Sequence, residues 1–110
     1  MPDRLPPLTS LQYLVLGVLR GSDQPGRAVR DAMTRHGVRS SAPAFYQMMG
    51  RLEEGGLVEG WYDQKLVAGQ NIKERRYRVT RAGTRAIGET RAFYLDRLAP
   101  ARLAKRGSHA

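Results

Sequence analysis

The chain has 110 residues, with 19 Lys plus Arg against 10 Asp plus Glu, a formal net charge of +9 and no cysteine. That length fits one domain with a small core, which a partner chain would help to cover. The missing cysteines exclude disulfides, thiolate nucleophiles and Cys-based zinc sites, and they fit a reducing cytoplasm. The positive excess favours a polyanionic partner, nucleic acid ahead of anionic membrane or acidic protein.

Met1 to Pro7 holds Pro2, Pro6 and Pro7 and is expected as an extended arm. Thr9 is a good N-cap with Gln12 at the capping-box position, and Leu11, Leu14, Val15, Val18 and Leu19 recur at helical spacing. This predicts a first helix over Ser10 to Arg20. The same run is the most apolar in the chain, yet it falls far short of the ~20 residues of a membrane span. It also lacks the flanks of a signal peptide, so it is taken as a core helix of a cytoplasmic protein without membrane contact. The turn-forming stretch "GSDQPG" follows.

A second helix is predicted over Gly26 to His36, with Ala28, Val29, Ala32 and Met33 as its buried stripe and Gly37 just beyond its end. His36 has no nucleophile at recognisable spacing and fits a capping or surface role better than a catalytic one. Ser41 then caps a third helix over Ala42 to Glu54, with Pro43 in the first turn and Gly55-Gly56 as terminator. Two strands follow, "LVEGWYDQKLV" and "IKERRYRVT", joined at "AGQN". Tyr77 and Val79 share the inward face of the second strand, which leaves Arg76 and Arg78 on the other. Thr80 caps a fourth helix carrying Ala86, Ile87, Tyr94 and Leu98, with Phe93 alongside, and Pro100 is expected to stop or kink it near Leu98 or Ala99.

Three helices, a two-stranded ribbon and a last helix make a mainly α fold with a β-hairpin: a winged helix-turn-helix plus a C-terminal dimerisation helix. The expected division is an N-terminal arm over 1–7, a winged-helix domain over 8–80, the dimerisation helix over 81–99 and a basic disordered tail over 100–110. His109, in that tail, is assigned no role.

Three blocks of the chain resemble the PadR-type transcriptional regulators, and the resemblance runs from about Leu8 to Leu98. "LQYLVLGVLRG" is similar to that family's first helix, "FYQMMGRLEEGGLVEG" to its tyrosine-containing recognition helix, and "RRYRVTRAG" to its strand-to-helix junction. Each block alone is weak and the combination is specific. The resemblance implies a DNA-binding dimer, usually a repressor, of the smaller class with a single helix after the wing. Two places depart from the pattern. "DQPGRAV" stands where the second helix usually begins histidine–glycine–tyrosine. "SAPA" stands where the recognition helix usually opens serine–proline–glycine–threonine, so a threonine phosphate contact is lost at Ala44.

On the third helix Phe45, Met48, Met49 and Leu52 form the core stripe, which leaves Ala44, Gln47, Gly50, Arg51 and Glu54 outward. Gln pairs bidentately with adenine and Arg with guanine. Gly50 and Ala44 add little bulk, so the helix can sit deep in a major groove; for Gly50 the competing reading is tolerated drift at a cost of ~1 kcal/mol. Arg51 has a rival partner in Glu54. Tyr46 lies between the faces, either anchoring the third helix on the first or giving its hydroxyl to a phosphate. Ser40 and Ser41 precede the helix, one as cap and one within reach of a phosphate.

The wing candidates are Arg76 and Arg78 first, Lys65 and Lys73 nearer the tip, and Arg75, whose parity with Tyr77 points it elsewhere. Arginine in a wing suits the negative potential of a narrow minor groove, and a solvated basic hairpin is the bland counterpart. Ile87, Phe93, Tyr94 and Leu98 are the candidate dimer interface. Trp61 is the candidate wall of a site for a small aromatic effector, with closure of the core at the base of the wing as its competing role.

No nucleophile–base pair, metal cluster or phosphate-cradling loop is visible, so neither enzyme activity nor a cofactor is expected. The expected function is a sequence-specific regulator, a dimeric repressor on a pseudo-palindromic double-stranded DNA operator, with the third helix in the major groove and the wing on flanking minor groove. The alternative is a winged-helix module for protein or RNA, without specific duplex recognition.

Overall fold

The computed structural model describes the backbone of residues 5–109 and the side chains of residues 5–98. The first part of the expected N-terminal arm, residues 1–4, lies outside the described residues, as do the side chains of the expected tail. The element order is α1 (Ser10–Val18), β1 (Gln24–Pro25), α2 (Gly26–Arg35), α3 (Ala42–Glu54), β2 (Val58–Val67), β3 (Gln70–Val79) and α4 (Arg81–His109).

Local chemistry sets most of these boundaries. At α1 the Thr9 hydroxyl accepts from the Gln12 backbone N–H at 3.2 Å while the Gln12 side chain accepts from the Thr9 N–H at 3.0 Å, a complete capping box. Ser41 caps α3 by accepting from the Ala44 N–H at 3.2 Å. The Thr80 hydroxyl accepts from the Gly83 N–H at 3.0 Å and donates to the Gly56 carbonyl at 2.6 Å, tying the start of α4 to the end of α3. Gly83 allows that joint: a Cβ there would lie 2.2 Å from the Leu57 carbonyl oxygen.

β2 and β3 pair antiparallel with Val58 opposite Val79 and Val67 opposite Gln70. The two-residue connection is Ala68 (φ 51°) and Gly69 (φ 80°), both in the left-handed region that a tight hairpin turn demands. β1 pairs with the other edge of β3, Gln24 opposite Tyr77 and Pro25 opposite Arg76, so the sheet is three-stranded in the order β1-β3-β2. The sequence predicts only a turn at this point. A two-residue strand is too short to show an alternating pattern, and its proline suits an edge.

The core gathers Leu8, Val15, Leu16 and Leu19 from the α1 region, Val29 and Met33 from α2, and Phe45, Met49 and Leu52 from α3. Val58, Tyr77, Ala86 and Ile87 close it from the sheet and α4. Val79, expected to face inward with Tyr77, packs against it half-buried. The α4 backbone continues through Pro100 to His109, where the sequence reading stops or kinks the helix and expects a disordered tail. A proline inside a helix removes one donor and crowds one carbonyl, a cost that a long helix absorbs by bending. No helix among the described residues is long and apolar enough to cross a membrane.

Candidate nucleic-acid interface

α3 presents two unlike faces. Phe45, Met49 and Leu52 are buried, whereas Ala44, Gln47, Arg51 and Glu54 are exposed. Gln47, Gly50, Arg51, Glu53 and Glu54 line an open, shallow depression. A Cβ built on Gly50 meets nothing within 4 Å, so neither packing nor backbone geometry requires glycine there. Among the described residues Arg51 forms no ion pair, with Glu54 or with any other carboxylate.

The approach to α3 is fixed by Arg30, whose guanidinium donates to the Ser40 carbonyl at 2.9 and 3.2 Å. Among the described residues the Ser40 hydroxyl makes no hydrogen bond, while Ser41 is engaged as cap. Arg39 beside them is exposed and forms no ion pair among the described residues, a cation that the sequence reading passed over. Tyr46 meets Phe45 edge-on with centroids 5.0 Å apart and leans on α2. A Cβ on Gly26, the first residue of α2, would stand 2.8 Å from the Tyr46 ring and hydroxyl. Tyr46 is 40% exposed as a residue, and its hydroxyl sits beside the N-terminus of α2.

The wing is electrostatically different. Arg75 turns back to α3 and donates to both oxygens of Glu53 at 2.7 Å, with its guanidinium over the rings of Tyr62 (4.8 Å) and Tyr77 (5.7 Å). The Glu53 hydrogen bond holds the Arg75 guanidinium still more firmly charged, and burial pushes the Tyr77 hydroxyl up. Gly60 makes room for this clamp, since a Cβ there would lie 2.7 Å from the Glu53 carboxylate. Arg76 donates to the Asp23 carboxylate at 2.7 and 3.0 Å with only 19% of its side chain exposed. Arg78 pairs with Glu59 and lies over the Trp61 ring at 5.5 Å.

Glu74 receives Arg27 at 3.0 Å and Lys65 at 3.5 Å. The Arg27 hydrogen bond, against the opposing effect of burial, holds the Glu74 carboxyl below the usual range. Lys73 has no carboxylate within 4 Å among the described residues and stands 6.0 Å from the centroid of the Tyr62 ring.

Of the interface candidates on α4, Ile87 is only 6% exposed and is spent in the chain's own core. Phe93 is half-buried, edge-on to Tyr94 at 5.3 Å, while Tyr94 and Leu98 are exposed. Trp61 is half-buried beneath Arg78 and stands outside the core cluster, so it does not close the core.

No family model matches the chain, and no curated protein matches it. Solved structures do. A PadR-family transcriptional regulator from Eggerthella lenta is 28% identical, with 87% of this chain and 80% of that one covered and a TM-score of 0.67. A PadR-family regulator from Clostridium difficile is 14% identical over 86% of this chain and 99% of its own, with a TM-score of 0.68. Bacillus subtilis PadR, solved in complex with operator DNA, is 18% identical over 74% of this chain, with a TM-score of 0.60; the match spans only 46% of its length. The chain carries the winged-helix fold of the PadR-family transcriptional regulators, the family its sequence resembles.

Proposed function

We propose that the protein is a sequence-specific DNA-binding regulator that works as a dimer and represses by occupying a pseudo-palindromic operator. The observation that carries this reading is the outward face of α3. There an amide and a guanidinium, the latter without an ion pair among the described residues, flank a glycine that the fold does not need. Gln47 and Arg51 read base edges in the major groove, and Gly50 lets the backbone come close. The Ser40 and Tyr46 hydroxyls and Arg39 hold flanking phosphates, which fix register without carrying sequence information. The capped N-terminus of α3 adds its own attraction for a phosphate.

Tyr94 and Leu98, with Phe93 behind them, form an apolar strip on α4 that a second copy covers. A two-fold dimer places the paired α3 helices about 34–36 Å apart, one turn of DNA. A repressor then needs only to compete for its site. Recovery of bound duplexes from a random pool tests the reading. It predicts enrichment of two half-sites in inverted orientation, one turn apart. A pool without enrichment would contradict it.

A further inference from the structure

The distal half of the wing is unlike its base. From Gln64 to Lys73 there is no acidic residue, and the side chains are aliphatic, amide or lysine. Leu66 is 73% exposed, Val67 48% and Ile72 43%, although aliphatic side chains of this size gain by burial. The register puts Val67 and Ile72 on one face of the hairpin, beside Lys65 and Gln70, and Leu66 on the other, beside Asn71, so each face carries an exposed aliphatic side chain. The two-residue turn at Ala68-Gly69 keeps it narrow. The base of the wing, by contrast, has its arginines matched to carboxylates from Asp23, Glu53 and Glu59. Any phosphate that approaches Arg76 or Arg78 also meets the carboxylate held beside it, so these pairs attract DNA weakly.

We infer that the wing engages DNA through its apolar, acid-free tip, with Leu66, Val67 and Ile72 wedging into the minor groove and bending the duplex, rather than through its arginines. Apolar wedges that part base steps and kink the duplex are a known way of binding the minor groove. The tip carries what such a wedge requires. Lys73, which has no carboxylate within 4 Å among the described residues, flanks it for the phosphates, and Gln64, Gln70 and Asn71 offer amide donors to the acceptors of A·T pairs. The tip also belongs to the hairpin that Arg75–Glu53 clamps to α3, so its position relative to the helix is fixed. This inference rests on the DNA-binding reading above.

The test uses the full chain and duplexes that the wild type selects from a random pool, labelled at both ends for energy transfer. The double variant L66Q/I72Q removes the wedge without changing charge, and both positions are exposed, so its melting temperature should match the wild type. The expected result is an affinity loss of about tenfold and a loss of the protein-induced change in transfer, with an unchanged salt slope. Wild-type affinity and wild-type bending in L66Q/I72Q would overturn the inference alone. It would also be overturned if the double variant lost only self-association, as read by sedimentation of the free protein, because the tip would then be a contact between copies. A wild type that retains no duplex would overturn the DNA-binding reading and this inference with it.

Discussion

α3 and the wing both carry arginine, and they handle its charge in opposite ways. Arg51 on α3 stands without a carboxylate among the described residues, next to an open glycine. Arg75 and Arg78 on the wing are paired with carboxylates of α3 and β2, and Arg76 with Asp23 before β1 and with Glu74 of its own strand. Counting basic residues makes the wing the stronger DNA contact, because the count ignores pairing. An ion pair presents little net field a few ångströms away, whereas a lone guanidinium beside a small residue presents all of its charge. The wing's arginines mainly build the wing and fasten it to the helices.

The sharpest way to break this comparison is at Gly50. Gly50→Glu puts a carboxylate on the face that approaches DNA and should lower affinity for a selected duplex at least about a hundredfold, since like charge meets phosphate without relief. Its thermal melt should stay near that of the wild type, because the space around a Cβ is empty. Gly50→Ala should instead stabilise the fold by roughly 0.5–1 kcal/mol in urea titration, the propensity difference in an exposed helix. A destabilised Gly50→Ala would mean that the fold needs this glycine after all.

Gln47→Ala comes next and should remove about 1–3 kcal/mol of discrimination at one base pair, seen as a flattened preference among operator variants. Arg51→Ala against Arg78→Ala then sharpens the contrast between regions. Loss of Arg51 should cost about 1–3 kcal/mol on the selected duplex and relax specificity at the base pair it reads. Loss of Arg78 should leave slope and affinity close to wild type, because its charge is already met by Glu59.

Two smaller effects concern stability alone. Thr90 is fully buried and its hydroxyl has no hydrogen-bond partner among the described residues. Thr90→Val should therefore stabilise the chain by about 1 kcal/mol in denaturant titration without altering DNA binding. The Arg27 guanidinium holds the folded-state pKa of Glu74 below the ordinary carboxylate value, so its contribution is present above that ordinary value and lost as the pH falls through the lowered one. Thermal melts should thus decline in acid, and Glu74→Gln should make the decline shallower.

The sequence carries the helices because their signals are local: the Thr9–Gln12 box, Ser41 before Pro43, and Thr80 all lie within three residues of what they cap. The hairpin is equally legible, its two strands flanking a glycine turn. What the sequence could not display is pairing across distance. Asp23 meets Arg76 from 53 residues away and Arg27 meets Glu74 from 47, and no periodicity announces such partners. β1 is hidden for the same reason, as it exists only because β3 offers an edge. Ile87 looked available for a partner chain because helical spacing marks an apolar stripe without saying which layer covers it. The stripe divides, with Ile87 in the core and Tyr94 and Leu98 outside.

The central claim is that α3 reads sequence. Its most direct test compares the binding of a selected duplex with that of a scrambled duplex of equal composition, for wild type and Gln47→Ala at one salt concentration. The account predicts a wild-type ratio that falls sharply in Gln47→Ala because the selected duplex alone weakens. An equal loss on both duplexes, with the ratio intact, would contradict it.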